Sequence, residues 1–384
     1  MNPRKEPKRV LHVIDSFDLG GAQTFLLDLV RHLDRTRFVP EVAAMHGHGI
    51  FECSFREVGI PTYSLSPSKF PPRFITNFWR LMRREKYDIL HFHLFGANLC
   101  AKPLAIAMGH PAIVVHDQCN DALRDRNLLL LTADAIANRG ASRVIAVSES
   151  VRRYLLSKEA LPDVRVEMIP NGIDTQQFAP PEMGQRQAAR VRLGLPEECF
   201  IIGGVGRLVA QKNFSLFLKV AAPIARRHPG VLFVIAGSGP LERVLRQEAD
   251  SLGLAERVRF LGHVADRAEL YHVMNVLLLP SDFEGTPMSL LEAMASRLPV
   301  VASAVDGIAE VCTDEKDALL VPHGDQAAFV RALNLLLSDS ELQADLGRSA
   351  RQRIQEHYEI QGVVRRIEQI YLDVLNNQGQ GGDI

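Results

Sequence analysis

Two carboxylates, Glu284 and Glu292, stand among small and apolar neighbours in the stretch SDFEGTPMSLLEAMA (281–295). The stretch follows an apolar run typical of a buried strand, and parallel sheets bind ligands beyond the carboxyl ends of their strands. Glu292 shares a helix face with Ser289 and Ser296, which gives the helix a narrow polar stripe. A glutamate in this place suits hydrogen bonding to a diol, such as the hydroxyls of a ribose. The alternative is a half-buried helix whose polar stripe meets solvent.

The same stretch predicts a helix that runs from Pro287 to about Ser296. Thr286 is the predicted N-cap and Pro287 the first helical residue, because proline loses no hydrogen bond there. The first amides of a helix have no partner within it and carry a partial positive charge. We therefore expect an anion such as phosphate to bind the backbone at Met288, Ser289 and Leu290.

Two cations, Arg207 and Lys212, lie in GRLVAQKN just after the strand-like run FIIGGVG. They suit a diphosphate, since a guanidinium donates directional hydrogen bonds and an ammonium acts as a point charge. The alternative is a pair of solvated surface charges. Neither GVGRLV nor GSGPLE completes the pattern G-x-G-x-x-G, and no acidic residue stands out about twenty positions later, so a dehydrogenase is not predicted.

Histidines are the remaining candidates for chemistry. His91 and His93 alternate along one strand-like run, and His116 ends the next one. A catalytic metal is not predicted, because no Asp or Glu stands at a recognisable ligand spacing. We predict that His116 is a hydrogen-bond donor in a ligand-binding cleft, and that His91 and His93 pack or support the cleft wall.

Short apolar runs typical of strands alternate with longer helical patterns, and the alternation restarts after a polar, Pro-rich stretch at 178–187. Strands that are apolar throughout and alternate with helices indicate parallel sheets covered on both faces. The predicted fold class is α/β, with two Rossmann-like, doubly wound domains facing across a cleft. The predicted segments are a first domain at 1–178, a second at 179–350, a helix at 351–376 and a flexible tail at 377–384.

The composition of the 384-residue chain excludes several classes of protein. A net charge of −1 argues against a dedicated nucleic-acid binder, and 47% hydrophobic residues argue against wholesale disorder. Neither a transmembrane run nor a signal-peptide pattern is visible, so we predict a cytoplasmic protein. We expect its scattered cysteines to be reduced structural thiols; they are Cys53, Cys100, Cys119, Cys199 and Cys312.

The segment PPRFITNFWRLMRREKYD (71–88) is basic and carries aromatic residues at roughly helical intervals. The favoured interpretation is a helix that packs its apolar side on the sheet. The alternative is peripheral contact with anionic lipid at the inner face of a membrane. The basic residues available for that contact are Arg73, Arg80, Arg83, Arg84 and Lys86.

Taken together, these segments resemble the retaining glycosyltransferases of family 4, which adopt the GT-B fold. The resemblance covers nearly the whole chain and includes LGGAQTFLLDLVRHL, DILHFHLFGANL, IPNGID, GRLVAQKN and DFEGTPMSLLEAMASRLPVVAS in order. The last segment contains the E-x7-E pair of the family, here Glu284 and Glu292. The resemblance implies transfer of a sugar, with retention at the anomeric carbon, from a UDP- or GDP-sugar on the second domain. The acceptor, a glycan or lipid-linked molecule, would lie on the first domain, and the product would belong to a surface polysaccharide or glycolipid.

The resemblance also implies roles for single residues. Glu292 would bind the ribose, Arg207 and Lys212 would neutralise the diphosphate without a metal or other cofactor, and Glu284 would lie near the transferred sugar. His116 would face the reacting centre from the first domain. Further donor contacts would come from Gly20 and Gly21 at the phosphates, Val264 near the base, and the amides of Met288, Ser289 and Leu290. The terminal helix commonly crosses back to the first domain in this fold.

Three residues depart from the pattern of the family. Gln23 stands where many relatives have Glu, and Asp306 takes the first position of a usual Gly-Gly, leaving Gly307. Pro223 predicts a kink in the helix after Asn213. Two other functions stay open: a non-catalytic protein that binds sugar nucleotides, and a sugar-nucleotide epimerase of the same fold.

Overall fold

The computed structural model describes residues 6–67, 73–110, 112–118 and 128–379. Cys119 and part of the 71–88 segment therefore lie outside the described residues. The chain forms two compact units, Met1–Gly172 with Ile360–Ile384, and Ile173–Glu359. The change of unit thus falls at 172 rather than at the expected 178, and the return to the first unit falls at 360 rather than at 351.

The first unit is a parallel sheet with the strand order β3-β2-β1-β4-β5-β6-β7. The order reverses direction between β1 and β4, which makes the ends of these strands the topological switch point of the unit. Its strands are β1 Lys8–Ser16, β2 Phe38–His46, β3 Thr62–Ser64, β4 Ile89–His93, β5 Ile113–Asp117, β6 Arg143–Ala146 and β7 Val166–Met168. The three-residue β3 is not predicted from the sequence, since so short a run has no readable periodicity.

Helices cover this first sheet, and their buried faces follow the apolar spacing of the sequence. In α3, for example, Phe74, Phe78 and Leu81 are buried, as expected of a helix that packs on a sheet. The described helices are α1 Gly21–His32, α2 Ile50–Glu57, α3 Arg73–Arg84, α4 Leu94–Ala107, α5 Leu128–Arg139, α6 Glu149–Ser157 and, from the end of the chain, α15 Ile360–Gly379.

The second unit is a parallel sheet with the order β10-β9-β8-β11-β12-β13, which reverses between β8 and β11. Its strands are β8 Phe200–Val205, β9 Val231–Ala236, β10 Val258–Gly262, β11 Val276–Leu279, β12 Val300–Ser303 and β13 Leu319–Val321. Its described helices are α7 Gln185–Arg192, α8 Phe214–Arg227, α9 Glu242–Ser251, α10 Arg267–Val273, α11 Met288–Ala295, α12 Asp306–Val311, α13 Gln326–Ser338 and α14 Ser340–His357.

One predicted helix contains a proline, and another is divided in two. Helix α8 continues across Pro223, and its apolar face packs against α13. The predicted terminal helix at 351–376 is two helices, because the chain leaves the helical path at Glu359 to pair with Ile173. The Thr175 hydroxyl donates to the Glu359 carboxylate, at 2.5 Å between the oxygens, and fixes this break. Helix α14 therefore belongs to the second unit and α15 to the first.

The predicted α/β class with two Rossmann-like sheets is confirmed. Strands buried on both faces must be apolar at nearly every position, and the six residues of β9 are all buried. No helix among the described residues combines the length and the apolar character that crossing a membrane requires.

Candidate functional site

The two loops that carry the predicted charged residues leave the second sheet side by side. Strands β8 and β11 are hydrogen-bonded neighbours, with Val276 opposite Ile202 in the register. The loop after β8 holds Arg207 and Lys212, and the loop after β11 holds Glu284. Both loops start at the carboxyl ends of the strands at the switch point, where sheets of this kind bind ligands.

Hydrogen bonds join the two loops almost residue by residue. The Gln211 side-chain amide donates to the Phe283 carbonyl, and the Asp282 amide donates to the Gln211 carbonyl, both at 2.9 Å. The Asn213 side-chain amide donates to the Asp282 carboxylate at 2.7 Å, while its carbonyl oxygen caps α8 by accepting from the Leu216 amide. The sequence did not predict these bonds between loops, which join the two segments into one surface.

Lys212 and Glu284 form a direct ion pair at the centre of this surface. The Lys212 Nζ atom lies 2.5 Å from Glu284 Oε1, and the Ser281 hydroxyl donates to the same oxygen at 2.8 Å. The exposed fractions of the two side chains are 15% and 5%. The sequence predicted both residues near a ligand but not their pairing. In the structure Lys212 is therefore a neutralised cation, which an incoming anion can engage only in competition with Glu284.

Arg207 differs from Lys212 in being exposed and in making no ion pair with any described residue. It follows Gly206, whose amide donates to the Ala236 carbonyl at the end of β9. A Cβ atom on Gly237 would lie 1.9 Å from the Gly206 carbonyl oxygen, so the two glycine turns touch backbone to backbone. The glycines bring the turns together, and Arg207 is an exposed cation directly after the first of them.

Glu292 is buried at 3% exposure, so the alternative of a solvent-facing polar stripe is wrong. Its two carboxylate oxygens have separate partners: Arg267 forms an ion pair with Oε1, and the Tyr271 hydroxyl donates to Oε2 at 2.7 Å. Burial raises the pKa of Glu292, and the Arg267 charge and the Tyr271 hydrogen bond oppose that rise. Arg267 and Tyr271 were missed in the sequence, although their spacing of four residues puts them on one face of α10.

The start of α11 differs from its prediction by one residue. Pro287 is the N-cap and not the first helical residue, and Thr286 therefore lies outside the helix. The Pro287 carbonyl accepts hydrogen bonds from the amides of Leu290 at 3.1 Å and Leu291 at 3.3 Å. The predicted anion contacts therefore reduce to the amides of Met288 and Ser289, because the amide of Leu290 already donates to the Pro287 carbonyl.

The Glu284 loop has a further neighbour at Asp306 and Gly307, where one residue departs from the family pattern. The Gly307 amide donates to the Glu284 carbonyl at 3.2 Å, and a Cβ atom on Gly307 would lie 1.4 Å from the Gly285 carbonyl oxygen. Only glycine fits there. Asp306 has a φ of +35°, in the left-handed region that glycine adopts more easily. The aspartate thus occupies a backbone conformation that suits the usual Gly-Gly.

The other predicted donor contacts are spread over both units. Val264 is half-buried on the loop between β10 and α10 in the second unit. Gly20 is the N-cap of α1 and Gly21 its first residue, in the first unit. A Cβ atom on Gly20 would lie 2.4 Å from Gln23 Oε1, and the Gln23 side-chain amide donates to the Ser16 carbonyl. Gln23, which stands where many relatives have Glu, therefore packs its side chain against the Gly20 turn.

His116, His91 and His93 all lie inside the first sheet unit and are fully buried. The His116 ring meets Phe25 edge-on, with 5.2 Å between centroids, and burial lowers its pKa to about 3. His91 and His93 pack in the core, as the sequence suggested. The role of His116 as a donor in a cleft stays a prediction, since in the structure its ring has no solvent exposure.

The chain is similar to known proteins along most of its length. The family models described as glycosyltransferase family 4 and as glycosyl transferases group 1 match residues 19–177 and 185–353. A D-inositol 3-phosphate glycosyltransferase from Salinispora arenicola is 33% identical over 91% of this chain and 88% of its own. A UDP-Gal:alpha-D-GlcNAc-diphosphoundecaprenol alpha-1,3-galactosyltransferase from Escherichia coli is 27% identical over 79% of this chain and 80% of its own.

Among solved structures, Alr3699/HepE from Anabaena in complex with UDP-glucose superposes with a TM-score of 0.84 at 21% identity, covering 94% of this chain and 98% of its own. Sucrose-phosphate synthase from Thermosynechococcus elongatus gives a TM-score of 0.80 at 20% identity, with 96% and 100% covered. At these identities the likeness shows the fold alone, and that fold is GT-B. The chain belongs to glycosyltransferase family 4 and is a glycosyltransferase of the GT-B type.

Proposed function

We propose that this protein transfers a sugar, with retention at the anomeric carbon, from a nucleotide-diphosphate sugar to a glycan or lipid-linked acceptor. The observation that carries the proposal is the joined pair of loops, with Arg207 available beside the Lys212–Glu284 ion pair. The product would be a surface polysaccharide or a glycolipid. UDP-sugars are the first donors to test, because the Escherichia coli relative is named for UDP-Gal and the Anabaena structure holds UDP-glucose.

In the proposed reaction the bond between the anomeric carbon and the diphosphate oxygen breaks, and a bond to an acceptor hydroxyl oxygen forms on the same face. The proton of the acceptor hydroxyl passes to the departing diphosphate oxygen or to solvent, and negative charge develops on the nucleoside diphosphate as it leaves. Arg207 and Lys212 stabilise that charge together with the amides of Met288 and Ser289 at the start of α11. These groups offset the charge without a metal, which is why we propose a metal-independent reaction.

The remaining predicted residues complete the proposal. Glu292 binds the ribose hydroxyls through lone pairs that Arg267 and Tyr271 do not use. Glu284 lies near the transferred sugar, and we do not assign it as a covalent nucleophile. His116 faces the reacting centre. Further donor contacts come from Val264 at the base, and from Gly20 and Gly21 at the phosphates.

Incubation of the full chain with a panel of UDP- and GDP-sugars tests the proposal against its alternatives. The expected result is release of the nucleoside diphosphate together with a glycosylated acceptor. A sugar epimerised at C2 would instead indicate an epimerase, and binding without release would indicate a non-catalytic protein.

The ribose contact is tested by calorimetry of UDP binding to Glu292→Ala. We expect the affinity to fall about tenfold, because the variant loses the partner of a diol. Glu242→Ala is the matched control, since Glu242 pairs with Arg246 on the exposed face of α9. Unchanged affinity in the Glu292 variant would remove that residue from the ribose site.

Contact with the inner face of a membrane, by an otherwise cytoplasmic enzyme, is a further part of the proposal. Ile75 and Trp79 on α3 are 45% and 49% exposed, and the Arg83 guanidinium lies over the Trp79 ring at 5.1 Å. Aromatic and basic side chains on one helix face suit anionic lipid. Sedimentation with anionic vesicles should fall for Trp79→Ala, and no binding of the unaltered protein at any salt concentration would remove this part.

A further inference from the structure

Four histidines occupy the central strands of the first unit, and all four are fully buried. His12 on β1 stands opposite His91 on β4, and His93 on β4 stands opposite His116 on β5. The sequence singled out three of these residues and missed His12. Such a concentration of imidazoles inside an otherwise apolar core is unusual, since buried polar side chains cost free energy unless they are partnered.

Three of these rings converge. One ring nitrogen from each of His12, His91 and His93 lies within 4.8 Å of the others. The closest approach is 3.0 Å, between His12 Nδ1 and His93 Nε2, and the His91 and His93 ring centroids are 4.1 Å apart. Ligands at 2.0–2.1 Å from a tetrahedral Zn²⁺ stand about 3.4 Å apart, so small ring rotations would bring all three nitrogens to one ion.

Hydrogen bonds within the protein leave several nitrogens of these rings without a partner. The His12–His93 contact can be a hydrogen bond, yet His12 Nε2, His91 Nε2 and His93 Nδ1 are buried and have no partner in the described structure. Buried polar atoms in folded proteins nearly always have a partner, so each exception requires a cause. A cation that accepts a lone pair from a neutral imidazole is such a cause for His91 Nε2. His12 Nε2 and His93 Nδ1 are not the atoms of the 3.0 Å contact and would not bind the same ion.

Tyr371 on α15 provides the hydrogen-bond partner that the second ring nitrogen of a metal-binding histidine usually has. Its hydroxyl oxygen lies 2.6 Å from His91 Nδ1, and the side chain is fully buried. If Nδ1 donates to this oxygen, the lone pair of His91 is on Nε2, the atom that has no partner. Metal-binding histidines commonly have this arrangement, in which one nitrogen binds the ion and the other donates to a fixed acceptor.

We propose that His12, His91 and His93 bind a divalent transition-metal ion, with Zn²⁺ the first candidate, that a water molecule completes its tetrahedral coordination, and that the ion is structural. Imidazole ligands suit Zn²⁺, Cu²⁺ and Ni²⁺, whereas Mg²⁺ and Ca²⁺ require oxygen ligands. The ion joins β1 to β4, the two strands at the switch point of the first sheet. The ion takes no part in the proposed metal-independent chemistry, in which Arg207 and Lys212 of the second unit supply the positive charge. Because the site is enclosed, the ion binds as the unit folds.

Metal analysis of the full chain, produced without a polyhistidine tag, tests the site directly. We expect about one equivalent of zinc per chain after purification without chelator. Protein refolded from denaturant and EDTA should regain its original melting temperature with ZnCl₂ and not with MgCl₂. Refolding with CoCl₂ should give the visible absorption of tetrahedral Co²⁺. Protein that contains no transition metal, and that refolds to the same melting temperature without one, would overturn the proposal.

Variants separate a metal site from a cluster of core histidines. His93→Gln should abolish the Co²⁺ absorption, and Tyr371→Phe should weaken Zn²⁺ affinity about 10- to 100-fold while the ligands stay in place. His116→Gln is the matched control, because His116 is equally buried but lies outside the converging group, and it should keep the metal. If His93→Gln fails to fold, the Tyr371→Phe affinity and the metal content of the unaltered protein still decide. Equal metal content in His93→Gln and the unaltered protein would also contradict the assignment.

Discussion

The two units have the same type of sheet but differ in the polar groups near their switch points. In the second unit these groups are charged and paired, as Lys212 with Glu284 and Arg267 with Glu292. In the first unit they are imidazoles, and burial lowers the pKa of His12 to about 3. The fold alone therefore does not decide whether a polar residue beside a switch point is charged.

The difference follows from the secondary structure in which these residues lie. The charged residues of the second unit lie on loops and helices beyond the strands, and Lys212 and Arg267 keep 15% and 22% of their side chains exposed. The histidines lie within strands covered on both faces, where an unpaired charge would be costly. Groups that retain contact with water can exchange a partner for a ligand, whereas enclosed neutral rings are suited to a permanent partner.

The largest expected effect on stability comes from Lys102, a buried cation in the same unit as the buried histidines. Lys102 is fully buried beside Asp134, at 3.4 Å, and donates to Asn138. Lys102→Met should lower the free energy of unfolding by about 3–5 kcal/mol, because it removes one member of a buried ion pair. Urea denaturation measures this loss, and the double variant with Asp134→Asn should recover most of it. A single variant as stable as the unaltered protein would show that this pair does not support the fold.

The Lys212–Glu284 pair should support catalysis more than folding. We expect Lys212→Met to reduce kcat by about 10²–10³-fold, because a charge that stabilises the leaving diphosphate is lost. The matched double variant Lys212→Met with Glu284→Gln removes the unpaired carboxylate and should recover stability but not kcat. Steady-state kinetics and denaturation on the same samples measure both effects. Recovery of kcat in the double variant would mean that Lys212 acts only by neutralising Glu284.

The Arg267–Glu292 pair should make stability depend on pH. Burial raises the pKa of Glu292, so the folded state binds more protons than the unfolded state above the ordinary pKa of 4.5. Arg267→Met removes a charge that opposes this rise. Its stability deficit should therefore grow as the pH increases through the raised pKa of Glu292 in the unaltered protein towards neutral, reaching about 3 kcal/mol. Denaturation at a series of pH values measures the deficit, and a deficit that is constant with pH would exclude Glu292 as its cause.

Arg207 should show the smallest effect on the fold. It is exposed and makes no ion pair among the described residues, so Arg207→Gln should change the free energy of unfolding by less than about 0.5 kcal/mol. Its affinity for a nucleoside diphosphate should nevertheless fall about tenfold. Arg348→Gln, an exposed arginine of α14 paired with Asp345, is the control for calorimetry. Equal affinities for the two variants would leave Arg207 outside the donor site.

Much of the fold could be predicted from local patterns. The apolar runs predict every strand of the second sheet, since most positions of strands covered on both faces are apolar. The residues of the candidate site were identified as candidates because charged side chains directly after such runs are conspicuous. The break between α14 and α15 could not be predicted, because the pairing of Ile173 with Glu359 joins distant parts of the chain.

The sequence by itself determined most of the strands and helices and the chemical types available beyond each strand. Only the tertiary structure decided which of those groups meet. Lys212 and Glu284 are 72 residues apart, and they pair because β8 and β11 are adjacent in the sheet. His12 and His93, 81 residues apart, approach because β1 lies beside β4. Periodicity reports only on neighbours along a helix or strand, whereas the partner of a buried polar group depends on the order in which the strands assemble.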